Sequence, residues 1–186
     1  MTVAGVILAA GGSRRFAGGD HKLTASFRGR SLVAWSVAAA QEAGLDETVV
    51  VVGAVDLTPV LPEGLTVLAN DEWRSGQAGS LRVALDWCAR QGHAAAVVGL
   101  GDQPLIPASA WRAVAEAPPG PIVVATYGGR RRNPVRLERS VWAQMPAGGD
   151  EGARSLMRRQ PELVTEVACE GEPADVDTVE DLRAWS

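Results

Sequence analysis

The strongest constraint on the fold is the alternation of short, almost wholly apolar runs with stretches of helical periodicity. The apolar runs are residues 3–9, 48–53, 65–69, 95–100 and 121–126. Continuous apolar runs of this length favour strands that are buried on both faces, as in parallel sheets.

Helical patterns separate these runs. A first apolar stripe occupies positions 32, 35, 36, 39, 40 and 43 and stops before Gly44, and a second stripe ends near Gly92. Pro107 is expected in the first turn of a helix reaching Ala117, and Thr178 is expected to cap a final short helix. Strands alternating with helices predict an α/β chain, a three-layer Rossmann-like sandwich with a mostly parallel sheet.

Length and charge narrow the class of protein. A chain of 186 residues suits a single domain, residues 1–186. The net charge of −4 argues against a nucleic-acid partner. No run is long enough to span a membrane and no signal peptide is recognisable, so we expect a cytoplasmic protein without a membrane partner. The two cysteines and two histidines have no zinc-site spacing.

A glycine-rich segment follows the first predicted strand. Ligands of parallel α/β sheets bind beyond the carboxyl ends of the strands. Gly11 and Gly12 allow backbone N–H groups to approach an anion, and Ser13 adds a hydroxyl donor. Arg14 or Arg15 adds a guanidinium and Lys22 a point charge. The segment predicts a triphosphate cradle, although it is neither GxxxxGK[ST] nor GxGxxG; the alternative is a tight strand exit.

The segment Leu8-Ala-Ala-Gly-Gly-Ser-Arg-Arg-Phe16, followed by Lys22-Leu23, resembles the opening signature of the nucleotidyltransferases that activate sugars and cofactors. Within that family the chain is most similar to the molybdenum cofactor cytidylyltransferases, and the likeness covers nearly its whole length. The resemblance implies the nucleotide-diphospho-sugar transferase fold. It also implies that the nucleotide phosphates are held by Ala9, Ala10, Gly11, Gly12, Ser13, Arg15 and Lys22.

Acidic residues after a predicted strand and before the predicted final helix form a candidate metal site. Asp102 directly follows a buried strand, where a carboxylate is costly unless it stays wet or binds a cation. Asp175 and Asp177, two positions apart on an extended segment, point the same way. Both segments resemble the family's metal-binding segments, which implies Mg²⁺, or Mn²⁺, held by Asp102 and Asp177. Asp175 is the alternative to Asp177 as the second ligand. Asp102 could instead only cap the turn that follows it, and Asp177 could only cap the final helix.

The segment Asn70 to Leu81 precedes a predicted helix. It resembles the family's Trp-x-x-Gly-x-x-x-Ser-Leu stretch, which implies that Gly79 and Ser80 lie near the nucleobase or ribose. Ser80 could instead only cap the helix. Trp73 lies in the same segment, whereas we expect most of the other tryptophans to pack in the core.

Two further segments fall on the acceptor side by resemblance. Gly149-Asp-Glu-Gly-Ala-Arg154 is similar to a Gly-Asp-x-Gly-Ala-Arg motif of the cytidylyltransferase branch, which implicates Asp150 and Arg154. The family usually has Gly-His-Pro where this chain has Arg132-Asn133-Pro134, which places Asn133 on the acceptor side. The three arginines from Arg130 are expected on a solvated face.

Taken together, these expectations predict that the protein catalyses nucleotidyl transfer, with Arg15, Lys22 and Asp102 as catalytic residues. The implied substrates are CTP and a molybdopterin-type phosphate acceptor, and the implied protein partner is a recipient molybdoenzyme. Alternatives are a guanylyltransferase using GTP, a transferase for another small phosphate, and a non-catalytic nucleotide-binding cofactor chaperone. A Rossmann NAD protein is disfavoured because GxGxxG is missing.

Overall fold

The computed structural model describes residues 2–13, 16 and 21–185, so the predicted phosphate ligand Arg15 lies outside the described residues. Within these ranges the chain forms nine strands and six α-helices. Their bounds are β1 Val3–Ala9, β2 Ser26–Phe27, β3 Arg30–Ser31, α1 Leu32–Glu42, β4 Glu47–Val52, β5 Thr66–Ala69, α2 Gln77–Gln91, β6 Ala95–Leu100, α3 Ala108–Glu116, β7 Ile122–Tyr127, β8 Arg130–Glu138, α4 Arg139–Trp142, α5 Ala153–Arg159, β9 Val164–Ala168 and α6 Val179–Trp185.

The described strands form a seven-stranded sheet in the order β5-β4-β1-β6-β8-β7-β9, with a separate β2–β3 pair. All neighbours pair in parallel except β8, which runs antiparallel to both β6 and β7. The sheet is therefore mostly parallel, and the predicted α/β class is confirmed.

Helices cover both faces of the sheet and bury two apolar cores. On one face, side chains of α2, α4 and α5 pack on the sheet, with Leu85, Trp142 and Leu156 in the core. On the other face, α1 and α3 pack on the sheet, with Leu32 and Trp111 fully or almost fully buried. These helices account for the continuous apolar runs, because each central strand must bury both of its faces.

The strands β8 and β9 were not among the apolar runs. The first three residues of β8 are the exposed arginines 130–132, so the expected solvated face is also the start of a strand. The register between β7 and β8 shifts after Val124, because Val124 pairs with Val135 whereas Ala125 pairs with Arg132. The two intervening residues, Asn133 and Pro134, form a bulge in β8. Bulges of this kind re-aim a side chain out of the regular pleat.

The carboxyl ends of the parallel strands lie at one edge of the sheet, which we call the carboxyl edge. The segments after β1, β4, β5 and β6 leave the sheet here, and so the predicted glycine-rich segment and Asp102 are neighbours. The start of β8 extends past the end of β6 at the same edge, because Val98 pairs with Val135. None of the described helices is long and apolar enough to cross a membrane.

Candidate functional site

A cavity of about 440 Å³ opens at the carboxyl edge, and we call it the first cavity. Its walls come from the end of β1, the loop before α2, the start of α2 and the loop after β6. Predicted site residues on these walls are Ala9, Ala10, Gly11, Gly12, Ser13, Lys22, Ser80, Asp102, Asp150 and Asp177. The structure therefore brings together segments that are up to 168 positions apart in the chain.

Gly12 is in close contact with the indole of Trp73. A Cβ atom at Gly12 would lie 2.7 Å from Cζ3 of Trp73, whereas a Cβ at Gly11 would meet nothing within 4 Å. The guanidinium of Arg74 covers the other part of this wall, 4.4 Å from the centroid of the Trp73 ring. Trp73 thus lies on the wall of the first cavity, where it packs on the glycine-rich backbone.

His21 closes the far end of the glycine-rich segment. Its Nε2 atom lies 2.8 Å from the carbonyl oxygen of Gly11 and 3.0 Å from Oγ of Ser13, while Nδ1 accepts a hydrogen bond from the backbone N–H of Leu23. Burial lowers the pKa of His21 and outweighs the opposing effect of the Gly11 carbonyl. The neutral ring with a proton on Nε2 satisfies these contacts. Ser13 has φ +48°, a left-handed conformation that the histidine contact stabilises.

Lys22 is the centre of charge in the first cavity. Its Nζ atom lies 2.6 Å from Oδ2 of Asp102 and 2.9 Å from Oδ1 of Asp177. Burial would lower the pKa of Lys22, but the two carboxylates outweigh burial and raise it. The ammonium is therefore charged at neutral pH. Lys22 is also the one lysine in the sequence, among 18 lysines and arginines.

The segment that carries Asp175 and Asp177 packs on the loop after β6. The backbone N–H of Val176 donates to the carbonyl of Asp102 at 2.9 Å, and the Val176 side chain is buried. The carboxylate of Asp181 accepts from the backbone N–H groups of Asp177 and Thr178. Thr178 caps α6 as predicted, since its hydroxyl oxygen accepts from the backbone N–H of Asp181 at 3.1 Å.

Gln103, Asn133 and Asp175 form a chain of hydrogen bonds beside this pair. Gln103 Nε2 donates to Asp175 Oδ1 at 2.7 Å, and Gln103 Oε1 accepts from Asn133 Nδ2 at 2.9 Å. Burial, together with the charges of Asp102 and Asp177, raises the pKa of Asp175 despite the Gln103 bond. Asp175 therefore faces Gln103, while Asp177 faces Lys22.

A second cavity of about 340 Å³ adjoins the first, and both are lined by Leu8 and Gln77. Its floor is apolar, and the side chains that build it include Leu81, Val98, Val124, Val135, Leu137 and Met157. Arginines 131, 132, 154 and 158 line its rim. Of the predicted acceptor-side residues, Asn133 and Arg154 line this second cavity, whereas Asp150 lines the first.

The loop that carries Asp150 packs directly on the start of α2. Gly76 has φ +108°, and a Cβ there would lie 2.5 Å from the backbone of Gly149. Ala78 N–H donates to the Gly149 carbonyl at 2.9 Å. Gly79 is not on the cavity wall, and Ser80, which is, accepts a hydrogen bond from Asn70 Nδ2 at 2.9 Å.

The donor set of the first cavity fits a hard divalent cation. Two carboxylates converge on one point, which the Lys22 ammonium contacts as a cation would. No group of three or more His, Cys, Asp or Glu side chains within the described ranges is arranged to hold a metal. Mg²⁺ commonly takes only one or two protein carboxylates and obtains its other ligands from water and substrate phosphates. Asp102 and Asp177 would hold such an ion.

Sequence reasoning missed several residues of this site. Gln103 lies in the segment that resembles the family's metal site, but its contacts with Asn133 and Asp175 join residues 30 and 72 positions apart and could not be predicted. His21 and Arg74 were assigned no role.

The chain is similar to a known protein family and to a relative of known name. A model of the MobA-like NTP transferase domain matches residues 5–164. A protein of Paenarthrobacter nicotinovorans named nicotine blue oxidoreductase is 33% identical over 196 residues, which cover 97% of this chain and 94% of the relative.

Solved structures of other proteins are similar to this chain over nearly its whole length. The crystal structure of Rv0371c from Mycobacterium tuberculosis H37Rv has a TM-score of 0.83 and 30% identity, covering 98% of this chain and 96% of that one. A manganese complex of Rv0371c has a TM-score of 0.82 and 29% identity, covering 100% and 98%.

Proposed function

The chain belongs to the MobA-like NTP transferase family, and we propose that it transfers CMP from CTP to the phosphate of molybdenum-bound molybdopterin. Family membership makes it a nucleotidyltransferase that uses a nucleoside triphosphate, as the sequence resemblance predicted. The proposal places the enzyme in the cytoplasm, in maturation of the molybdenum cofactor, upstream of a recipient molybdoenzyme. The observation that carries it is the convergence of Lys22, Asp102 and Asp177 on the wall of the first cavity.

The first cavity is the proposed nucleotide site. Its glycine-rich wall, Gly11 to Ser13, offers backbone N–H groups, and the start of α2 adds the positive end of a helix dipole. The volume of about 440 Å³ suits a ligand of nucleotide size. Ser80 lies on this wall near the proposed base or ribose, and Arg15 is proposed as a further phosphate ligand.

In the proposed reaction an oxygen of the acceptor phosphate attacks the α-phosphorus of CTP. The new P–O bond forms while the bond to the β-phosphate oxygen breaks, and pyrophosphate leaves. A phosphate nucleophile is already ionised near neutral pH, so the reaction needs no general base. The chain must instead overcome the repulsion between two anions.

Lys22 and the two aspartates supply that electrostatic control. The ammonium, charged at neutral pH, donates to phosphate oxygens and stabilises negative charge on the leaving pyrophosphate. Asp102 and Asp177 would hold Mg²⁺ or Mn²⁺, which when bound neutralises phosphate charge. Lys22 also keeps the two carboxylates close together, so they are oriented before any substrate arrives.

The second cavity is the proposed acceptor site. Its apolar floor suits a flat organic body, and its arginine rim suits an anionic group. Arg131 and Arg158 are paired with Glu166 and Glu151. The rim residues Arg132 and Arg154 form no close ion pair with a carboxylate in the described part of the chain, although the charge of Arg154 adds to that of Arg158 in lowering the pKa of Glu151. Both arginines are proposed to contact an anionic acceptor.

A nucleotide panel tests the proposal. Purified protein is incubated with CTP, GTP, ATP or UTP, with Mg²⁺ or Mn²⁺ and with molybdenum-bound molybdopterin, and pyrophosphate release is measured. We expect release with CTP that depends on both the metal and the acceptor. Release only with GTP, or with another phosphate acceptor, would support the corresponding transferase; nucleotide binding without release would support a cofactor chaperone.

The single lysine allows a direct test of where the triphosphate binds. An amine-acylating reagent can modify only Lys22 and the chain's α-amino group, and mass spectrometry distinguishes the two. We expect CTP with Mg²⁺ to protect Lys22 and to leave the α-amino group reactive. Because Lys22 is buried and its pKa is raised, the labelling is run at an alkaline pH at which Lys22 reacts in the absence of nucleotide. Equal labelling with and without nucleotide under that condition would place the triphosphate elsewhere.

A second candidate function comes from the relative named nicotine blue oxidoreductase. On that hypothesis the apolar second cavity would hold a reducible flat compound, with a nicotinamide cofactor in the first cavity. The missing GxGxxG segment disfavours it. Oxidation of NADH or NADPH by nicotine blue, without any pyrophosphate release from CTP, would establish this alternative.

A further inference from the structure

We infer that Asn133 presents a hydrogen-bond acceptor to the second cavity and selects acceptor substrates that carry an N–H or O–H group there. Gln103 is the positioning residue that fixes this polarity. The inference rests on the proposed function only in taking the occupant of the second cavity to be the acceptor substrate. Its physical basis is a chain of hydrogen bonds in which each side chain can play only one role.

The orientation of Gln103 is set first. The residue is 2% exposed, and its Nε2 atom lies 2.7 Å from Oδ1 of Asp175 and 3.3 Å from the carbonyl oxygen of Pro173. A backbone carbonyl only accepts hydrogen bonds, so the amide nitrogen of Gln103 must face it. Because the carbonyl of Pro173 imposes this orientation by itself, the orientation does not depend on the charge of Asp175.

The orientation of Asn133 follows. With its nitrogen turned toward Pro173, Gln103 presents Oε1 to Asn133, and the contact of 2.9 Å requires Nδ2 of Asn133 as donor. The Oδ1 atom of Asn133 receives no hydrogen bond from any residue in the described ranges. Asn133 is half-buried and lines the second cavity, so Oδ1 is the atom left for a ligand.

The β8 bulge explains why this asparagine can serve both partners. Asn133 and Pro134 are the two residues left out of the β7–β8 pairing. Asn133 is therefore released from the regular pleat and reaches Gln103 beyond the end of β6. A ligand whose edge offers only an acceptor would place two electron-rich atoms against each other and leave Oδ1 unsatisfied.

Two probes of nearly the same shape test the polarity. Indole carries an N–H donor where benzofuran carries an ether oxygen. Binding is followed by NMR of protein labelled with ¹³C at the methionine methyl groups, because Met157 lines the second cavity and Met145 lines a separate one. We expect both probes to shift Met157 but not Met145, and indole to bind about 5-fold more tightly, the ratio expected for one hydrogen bond.

Three variants separate a specific polarity from a merely structural role. Asn133→Leu should abolish the preference for indole. Asn133→Asp should keep it, because a carboxylate offers only acceptors, but it should lower the melting temperature because one carboxylate oxygen then faces Oε1 of Gln103. Gln103→Met should reduce the preference toward equality by freeing Asn133 to turn. If Gln103→Met does not fold, the two Asn133 variants still decide the matter, since a structural role would make them alike.

Benzofuran binding as tightly as indole, or more tightly, would overturn the inference, as would an unchanged preference in Asn133→Leu. Failure of either probe to shift Met157 would also overturn it, because the second cavity would then not be a binding chamber. The assay contains no nucleotide. A protein that prefers indole but releases no pyrophosphate with CTP would refute the proposed transferase and leave the polarity of Asn133 standing.

Discussion

A charged side chain with several partners lies at the carboxyl edge of the sheet, and another lies at the opposite edge, where the parallel strands begin and which we call the amino edge. The first is a cation that faces a cavity, and the second is an anion that does not face either cavity of the carboxyl edge. At the carboxyl edge Lys22 lies between two aspartates on the wall of the first cavity. At the amino edge Glu47, the first residue of β4, accepts hydrogen bonds from three side chains. They are Thr66 at 2.7 Å, Trp87 at 3.1 Å and His93 at 2.7 Å.

The difference lies in what each centre leaves for a ligand. The partners of Glu47 come from β5, from α2 and from the turn before β6, so they tie three elements of the sheet's amino edge together. Glu47 lines neither of the two cavities at the carboxyl edge. Lys22, in contrast, keeps two carboxylates together beside open space. A charged cluster that faces a cavity can bind, whereas one that joins secondary structure elements stabilises the fold.

The largest expected effect follows removal of a carboxylate at the carboxyl edge. Asp102→Ala should lower nucleotidyl transfer by at least ~10²-fold, because preorganised electrostatic stabilisation of the reacting phosphates is lost. The melting temperature should change little, since Lys22 keeps Asp177 as a partner. Steady-state pyrophosphate release and thermal unfolding measure the two quantities, and near-normal turnover would remove Asp102 from the proposed role.

The reciprocal change at the amino edge should do the opposite. Glu47→Gln removes a charge that accepts three hydrogen bonds and should lower the free energy of unfolding by about 1–3 kcal/mol. Turnover at a temperature where both proteins are folded should match the wild type. Chemical denaturation measures the first quantity. A fall in turnover without loss of stability would contradict the contrast between the two edges.

A smaller effect is expected from the packing of the first cavity's wall. Gly12→Ala would place a Cβ 2.7 Å from the far edge of the Trp73 indole and should cost about 1 kcal/mol of stability. Gly11→Ala is the matched control for stability, since its Cβ would meet nothing within 4 Å. The additional change Trp73→Leu should recover part of the loss. Equal melting temperatures for the two alanine variants would show that the wall is loosely packed.

The parts of this molecule that could be predicted from sequence are those written in local patterns. Continuous apolar runs identified the central strands, and the position of Asp102 directly after one of them marked it as a candidate ligand. Lys22 and Asp177 were found instead through short segments that resemble those of a known family. The strand β8 was missed because it begins with three arginines and its place between β6 and β7 depends on distant pairing. The Gln103–Asn133 contact was missed for the same reason, because it joins residues 30 positions apart.

The burial of a charged side chain could not be predicted from the sequence either. Arg136 is 5% exposed, and its guanidinium donates to the backbone carbonyls of Ala115, Ala117 and Pro118 at the end of α3. Nothing in the local sequence distinguishes it from the exposed arginines four to six positions earlier. Only the tertiary structure brings it to the unpaired carbonyls of a helix terminus, where a cation is stabilising.

The smallest expected effect is the response of the amino edge to acid. Burial would raise the pKa of Glu47, but hydrogen bonds from Thr66, His93 and Trp87 outweigh it and lower the pKa below the ordinary 4.5. A lowered folded-state pKa contributes stability that is present above 4.5 and is lost as the pH falls through the folded value. The difference in melting temperature between wild type and Glu47→Gln should therefore shrink as the pH falls below 4.5. Glu63→Gln, at an exposed position, is the control and should show no such change; a difference that persists in acid would assign the stabilisation to packing rather than to the charge of Glu47.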